Sequence, residues 1–239
     1  MSEPNSENSA GENKDDRREV AWNEFDWERY LREQDDAVHR YLGFYEACKT
    51  SPDRIDDVAE LMDWGMSDDD EPEEFGGPND GAKISGGDNA DDDDSDDDDE
   101  VYEDDEVYTL HKNPIFVSTK ALFLSLRRTW ELLAADGTKA PQPLAVALLT
   151  ALHRAEEQAV QAVNALDFGD YAMAVSLFKR ALAALNAILA LLNDESIALQ
   201  RAVLAWRAEA LPKIFDLREI WLRVVGECRE ELGRPTKEN

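Results

Sequence analysis

The chain has 239 residues, with 54 acidic and 25 basic side chains, a formal net charge of −29 and two cysteines. The acidity is confined to one half: residues 1–110 hold 39 acidic and 9 basic side chains, and the remainder holds 15 and 16. That balance argues against direct nucleic-acid binding, which needs clustered Lys and Arg to neutralise phosphates. Cys48 and Cys228, 180 positions apart, and a start without a charged-then-apolar leader argue against a disulfide framework and export, so a cytoplasmic or otherwise intracellular protein is expected.

Residues 1–17 are polar, rich in Ser, Asn and Glu and without an apolar period, which predicts a disordered tail. Residues 18–65 read as an aromatic-rich helical segment. Trp27, Leu31, Val38, Tyr41, Tyr45 and Cys48 recur at helical spacing with only Gln34 interrupting, and Glu28/Arg32 and Asp36/Arg40 are placed for i,i+4 pairing. One amphipathic helix over about 26–49 is predicted. Ser51-Pro52-Asp53 supplies a hydroxyl cap and a first-turn proline for a second, shorter helix carrying Ile55, Val58, Ala59 and Met62 and ending near Trp64-Gly65. From residue 66 to 106 there are 21 acidic side chains against the single Lys83, including Asp91 to Glu100 broken only by Ser95. Self-repulsion and the lack of apolar groups predict a disordered acidic linker over 66–112. No Asp-x-Asp-x-Asp-Gly register wraps a calcium ion there.

The balanced remainder, 113–233, predicts an all-α domain, an antiparallel up-down four-helix bundle, followed by a tail over 234–239. Asn113-Pro114 opens a first helix with Phe116, Leu122, Phe123, Leu126, Trp130 and Leu133 inward, stopping at Gly137. A helical hairpin over 144–192 follows. Leu144, Leu148, Leu152, Ala155, Ala159, Ala162 and Leu166 form one seam, and Tyr171, Ala174, Phe178, Ala181, Leu185, Ile188 and Leu192 the other. At their junction Gly169 closes one helix in the left-handed conformation and Asp170 caps the next. After Asn193–Ser196 a last helix runs to about Leu232, with Leu199, Val203, Trp206 and Ala210, then Ile214, Leu217, Trp221, Val224 and Cys228, as its seam. Pro212 between them predicts a kink. The longest apolar run, Ala181–Leu192, is interrupted by Asn186 and falls short of a bilayer crossing, so no membrane span is expected.

Gly169-Asp170-Tyr171 followed by Ala174, Phe178 and Ala181 resembles the tetratricopeptide repeat over about 155–188, and the small three-helix domains of the microtubule-interacting-and-trafficking type carry a similar pattern. Small residues at a close crossing give the same pattern in any tight hairpin. The resemblance implies a peptide-binding helical repeat; plain packing implies only a rigid hairpin.

Catalytic, cofactor and metal residues are not expected. His39, His111 and His153 lie in different elements, and the i,i+3 pair His153/Glu156 lacks the further ligands of a carboxylate-bridged bundle and reads as a surface ion pair. There is no phosphate-binding glycine loop and no Gly-x-Ser-x-Gly elbow. A non-enzymatic protein-interaction or scaffolding module with an acidic tether is the expectation, its partner a protein, possibly a basic one. The alternatives are an acidic chaperone or decoy for a basic protein, and a ligand carrier or enzyme with a pocket inside the bundle. Ala-rich seams bring helices close, so Phe116, Phe123, Trp130, Trp206 and Trp221 are expected to fill the ends or project from the sides as a groove. The aromatic helix is expected to cover that groove with Trp27, Leu31, Tyr41 and Tyr45 facing inward, the alternative being a motif that binds another protein; these four are the candidate partner-binding residues.

Overall fold

In a computed structural model of the chain, residues 23–64, 113–197 and 199–234 are described, and all regular structure among them is helical. The expected tail over 1–17, the acidic linker over 66–112 and the end of the chain beyond Arg234 lie outside the described residues. Six α-helices appear in order: α1 (Glu24–Ala47), α2 (Arg54–Leu61), α3 (Pro114–Ala134), α4 (Gln142–Asp167), α5 (Tyr171–Leu192) and α6 (Arg201–Gly233).

Each boundary has a local cause. Asn23 Oδ1 accepts from the amides of Phe25 and Asp26 while Asp26 returns a bond to the Asn23 amide, a reciprocal cap that starts α1 two residues before the expected Asp26. Asn113 caps α3 from the same oxygen, with Pro114 at the first position where no amide is missed. Ser51 does not cap α2; its hydroxyl accepts from Asp53, and the helix opens at Arg54. At the other end Asp63 takes a left-handed φ of 58°, and the Asp63 and Trp64 amides close on Glu60 and Ala59. The α4–α5 turn follows its residues: Gly169 has φ 72°, the Gly169 and Asp170 amides bond to Leu166 and Ala165, and Asp170 caps α5 at Met173. Without Gly169 the left-handed step would carry a steric penalty.

Contacts link α3 to α4, α4 to α5, α5 to α6 and α6 back to α3, while α1 packs on α3 and α2 on α1. Buried side chains from all six helices join in one apolar core. The hairpin seam is buried from Leu148 to Ala162 on α4 and from Ala174 to Leu192 on α5, with Leu144 and Leu166 half-buried and Tyr171 exposed at the turn.

Two expectations about α6 and the aromatic residues need correction. A 3-10 turn, Glu195–Ile197, precedes α6 and shifts its phase, so Ile197 is buried whereas Leu199 is 91% exposed. Phe116, Phe123, Trp130, Trp206 and Trp221 do not project from the sides; all are buried, with Trp206 contributing to the wall of a groove between α3 and α6. The alanine seam is concentrated on the α4–α5 pair, and the α3–α6 pair is filled by indoles whose N–H groups find acceptors. Trp206 and Trp221 donate to the hydroxyls of Thr129 and Thr119, at 2.9 and 3.0 Å, and Trp130 donates to the Ala145 carbonyl at 3.1 Å. Thr119 with Trp221, and Thr129 with Trp206, show α3 and α6 running in opposite directions. Pro212 sits on the exposed side of α6, which continues through it as one helix from Arg201 to Gly233. Among the described residues, α5 is the one helix long and apolar enough to cross a membrane; one of its faces is packed against α4 and α6.

Candidate functional site

The candidate residues of α1 divide into two pairs. Tyr41 and Tyr45 are buried, 1% and 2% exposed, whereas Trp27 and Leu31 are 52% and 49% exposed. The expectation that all four face inward is therefore corrected for Trp27 and Leu31. The buried stretch of the stripe begins only at Val38, and the two turns before it carry the same stripe outside the core. Trp27 meets Tyr30 edge-on, with centroids 5.8 Å apart. Tyr41 lies between Tyr45 and Trp64, stacked on both.

Tyr45 leads to the most polar part of the interior. Asp216 of α6 is buried, accepts from Tyr45 Oη at 2.5 Å, and takes a two-toothed bond from Arg54 of α2, at 2.6 Å from Nε and 2.5 Å from Nη2. Three helices thus meet on one carboxylate. A charge removed from water is tolerated where opposite charge and hydrogen bonds surround it, and Arg54 with its planar fork supplies both. Burial, reinforced by the Asp216 carboxylate, pushes the phenols of both Tyr41 and Tyr45 well above the usual tyrosine range, and the bond to Asp216 holds the Arg54 guanidinium still more firmly protonated. Around this centre Lys213 pairs with Glu46 at 3.2 Å and sits 5.7 Å above the Tyr45 ring. Arg223 forks onto Asp56, whose carboxyl is held below its ordinary range by those bonds.

The His153/Glu156 pair is not a surface ion pair. Glu156 is buried and bound by Lys120 at 2.9 Å and Arg127 Nε at 3.1 Å, both from α3, while His153 Nε2 faces Arg127 Nη1 at 3.2 Å. Sequence reading places Glu156 on the surface and does not single out Asp216. The available signal was position: Asp216 shares a helix face with Ile220 and Val224, and Glu156 with Leu152 and Ala159, and an acid on an apolar stripe implies a buried cation.

Two surface grooves lie among the described residues. One, about 340 Å³, runs between α4 and α5 over Ala147, Ala151, Ala183 and Ala187 with Arg154 and Arg180 at its edge. The other, about 560 Å³, lies between α3 and α6, with Leu126, Leu133, Ala202, Ala205 and Trp206 among its walls and Glu46 of α1 at one end. In the second, Lys213 pairs with Glu46, while Glu209, Ser125 and Thr129 add further polar groups to an otherwise apolar lining. Among the described residues, no three His, Cys, Asp or Glu side chains gather where they would hold a metal ion. Cys48 and Cys228 are free, and burial raises the Cys228 thiol above its ordinary range.

Comparison with known protein families, with curated proteins and with solved structures found no match to the chain.

Proposed function

We propose that the chain is a non-enzymatic protein-interaction or scaffolding module. In this reading α3 to α6 form an antiparallel four-helix bundle, the α1–α2 pair is held on it by Asp216, and residues 66–112 serve as an acidic tether between the two. The ring of helix contacts and the opposed directions of α3 and α6 support the bundle. The observation that carries the interaction reading is the stripe on α1. Its buried half, Val38, Tyr41 and Tyr45, shows that this face is built to pack, and its other half, Trp27 and Leu31, presents the same face half-exposed. Large rigid side chains bury much area for few rotors, which is why they anchor interfaces. An interior filled by Trp130, Trp206, Trp221 and Phe178 leaves little room for a carried ligand.

The test is affinity capture from native lysate with three baits: the full chain, a Trp27→Asp/Leu31→Asp variant, and a chain whose Asp91–Glu100 run is replaced by Ser and Gly. A protein retained by the first and lost by the second is the expected result. Identical retention by those two removes the stripe as the binding face, and loss in the third alone assigns capture to the acidic run, the decoy function.

A further inference from the structure

The groove between α4 and α5 carries positive charge that the described fold leaves unpaired. Its floor is alanine, with Ala147 and Ala151 from α4 and Ala183 and Ala187 from α5, and its rim holds the guanidiniums of Arg154 and Arg180. Lys179 stands beside Arg180 on the exposed face of α5. None of these three cations takes part in an ion pair or hydrogen bond among the described residues, whereas Lys120, Arg127, Lys213 and Arg223 are all bound to carboxylates. Among the described residues no acid lines the groove. Of its neighbours, Glu156 is turned toward α3, and Glu157, one turn on from Arg154, accepts from Gln161 at 3.4 Å. The alanine floor by itself selects nothing; two guanidiniums above it select an anionic occupant, and the space over the floor admits one bulky side chain.

The chain carries such an occupant within reach. Residues 101–108 lie outside the described residues, and their sequence sets Glu103-Asp104-Asp105-Glu106 between Val101-Tyr102 and Val107-Tyr108. The described fold resumes at Asn113, whose Nδ2 donates to Asp167 Oδ1 at 3.3 Å, at the turn end of the α4–α5 hairpin. From that end the groove runs away along the hairpin. Arg154 is 13 residues before Asp167 and Arg180 is 9 residues after Tyr171, about 20 and 14 Å from the turn at 1.5 Å per residue, with Ala147 about 30 Å from it. Glu106 to Glu103 are 7 to 10 residues before Asn113, a reach of up to about 23–33 Å at 3.3 Å per residue, and Tyr102 reaches about 36 Å. The four acids therefore meet the two guanidiniums with length to spare, and Tyr102 falls over the alanine floor beyond them. The Asp91–Glu100 run matches the charge but has no apolar side chain to seat there.

We propose that the α4/α5 groove is occupied in cis by residues 101–108, with Glu103–Glu106 on Arg154 and Arg180 and Tyr102 over Ala147 and Ala151. Carboxylates on guanidiniums form charge-assisted bonds, often two at once, and an aromatic ring buries much area for few rotors. Attachment at Asn113 holds the segment at an effective concentration of the order of millimolar, so a contact too weak to form between separate molecules is populated within one. The inference goes beyond the interaction reading and does not rest on the α1 stripe. It anchors the tether at its carboxy-terminal end, and it means that an external peptide combining acids with an aromatic ring enters the groove only by displacing the chain's own segment.

Carbodiimide coupling of the full chain, read by peptide mass spectrometry, tests it, because the reagent joins a carboxylate to the Lys179 amine only where the two are in contact. The wild type is expected to give a crosslink between Lys179 and one of Glu103–Glu106. Its yield is expected to fall several-fold in Arg154→Ala/Arg180→Ala, which keeps Lys179, and to fall likewise in about 1 M salt, where charges are screened beyond about 3 Å. Both arginines are exposed, and unchanged helicity and melting temperature establish that the variant is folded. Absence of the crosslink, a yield unchanged in the arginine variant, or coupling of Lys179 to Asp91–Glu100 as readily as to Glu103–Glu106 each overturns the proposal, the last by showing only diffuse attraction to a polyanion. In an equimolar mixture of 14N and 15N chains the crosslinked peptides are expected to carry one isotope each; mixed pairs place the segment on another copy and overturn the assignment in cis. Every one of these failures leaves the α1 stripe reading standing, since that is tested through Trp27 and Leu31.

Discussion

Asp216 holds two other helices to α6, and removing its carboxylate strands a guanidinium and a phenol inside the fold. Asp216→Ala is expected to cost about 3 kcal/mol in urea unfolding, the range for breaking a buried pair on one side only. The double variant Arg54→Met/Asp216→Leu, which removes both charges, is expected to lose less than Asp216→Ala alone; a larger loss would mean that the pair stabilises beyond its own desolvation. Nearby, Tyr41 and Tyr45 set an alkaline limit. Both phenols are raised above the ordinary value of about 10, so the unfolded chain releases their protons first, and stability present below pH ~10 falls as pH rises through the folded values. Tyrosinate absorbance near 295 nm should show these two rings ionising together with loss of helix, and Tyr41→Phe/Tyr45→Phe should remove that late component. Asp63, in a left-handed conformation at the end of α2, is a further residue under local strain. Asp63→Gly is expected to raise the urea midpoint by the equivalent of about 0.5–1 kcal/mol, since glycine takes that conformation without the Cβ clash.

Within the elements, the α4–α5 hairpin was the most legible part of the chain because every signal in it is local. Period, left-handed glycine and capping aspartate all lie within a few residues of the positions they fix. The faces read there make a direct contrast: Leu185 is fully buried and Ala183 is exposed. Leu185→Asp should lose several kcal/mol, enough to unfold a small domain, whereas Ala183→Asp should shift the thermal midpoint only slightly; equal shifts would reverse the assignment of faces. The illegible parts depend on partners remote in sequence. The three indoles looked too large for an Ala-rich core because their acceptors on α3 and α4 are invisible to periodicity. The start of α6 was misplaced because Leu199 fits a helical period that the 3-10 turn interrupts. At the candidate site, spacing identified the stripe but not how far the core extends along it, so Trp27 and Leu31 were grouped with Tyr41 and Tyr45.

At the scale of the whole molecule, α1 and α2 belong to the same core as the helices that follow residue 112, although 48 residues separate Trp64 from Asn113. Their packing is therefore expected to persist without the covalent link. If a specific protease site is placed within residues 66–106 and cut, the two fragments should still co-elute on size exclusion, and Asp216→Ala should make them separate at a lower urea concentration. Fragments that part at once in the wild type would show that the contacts around Asp216 and Tyr41 do not suffice without the tether.

The spacing of those contacts along the chain also sets an order of events in time. The α4–α5 hairpin closes across a three-residue turn, the Trp206–Thr129 and Trp221–Thr119 bonds close 77 and 102 residues, and Tyr45 reaches Asp216 across 171. Loop-closure entropy rises with each of these lengths, so local pairing precedes remote pairing. The hairpin is expected in the folding nucleus, where truncating Leu185 slows refolding, and the Asp216 contacts are expected after the transition state, where Asp216→Ala speeds unfolding and leaves the refolding rate nearly unchanged. The amino-terminal helices are then the last to arrive and the first to leave, and their half-exposed stripe belongs to the part of the molecule that opens most often.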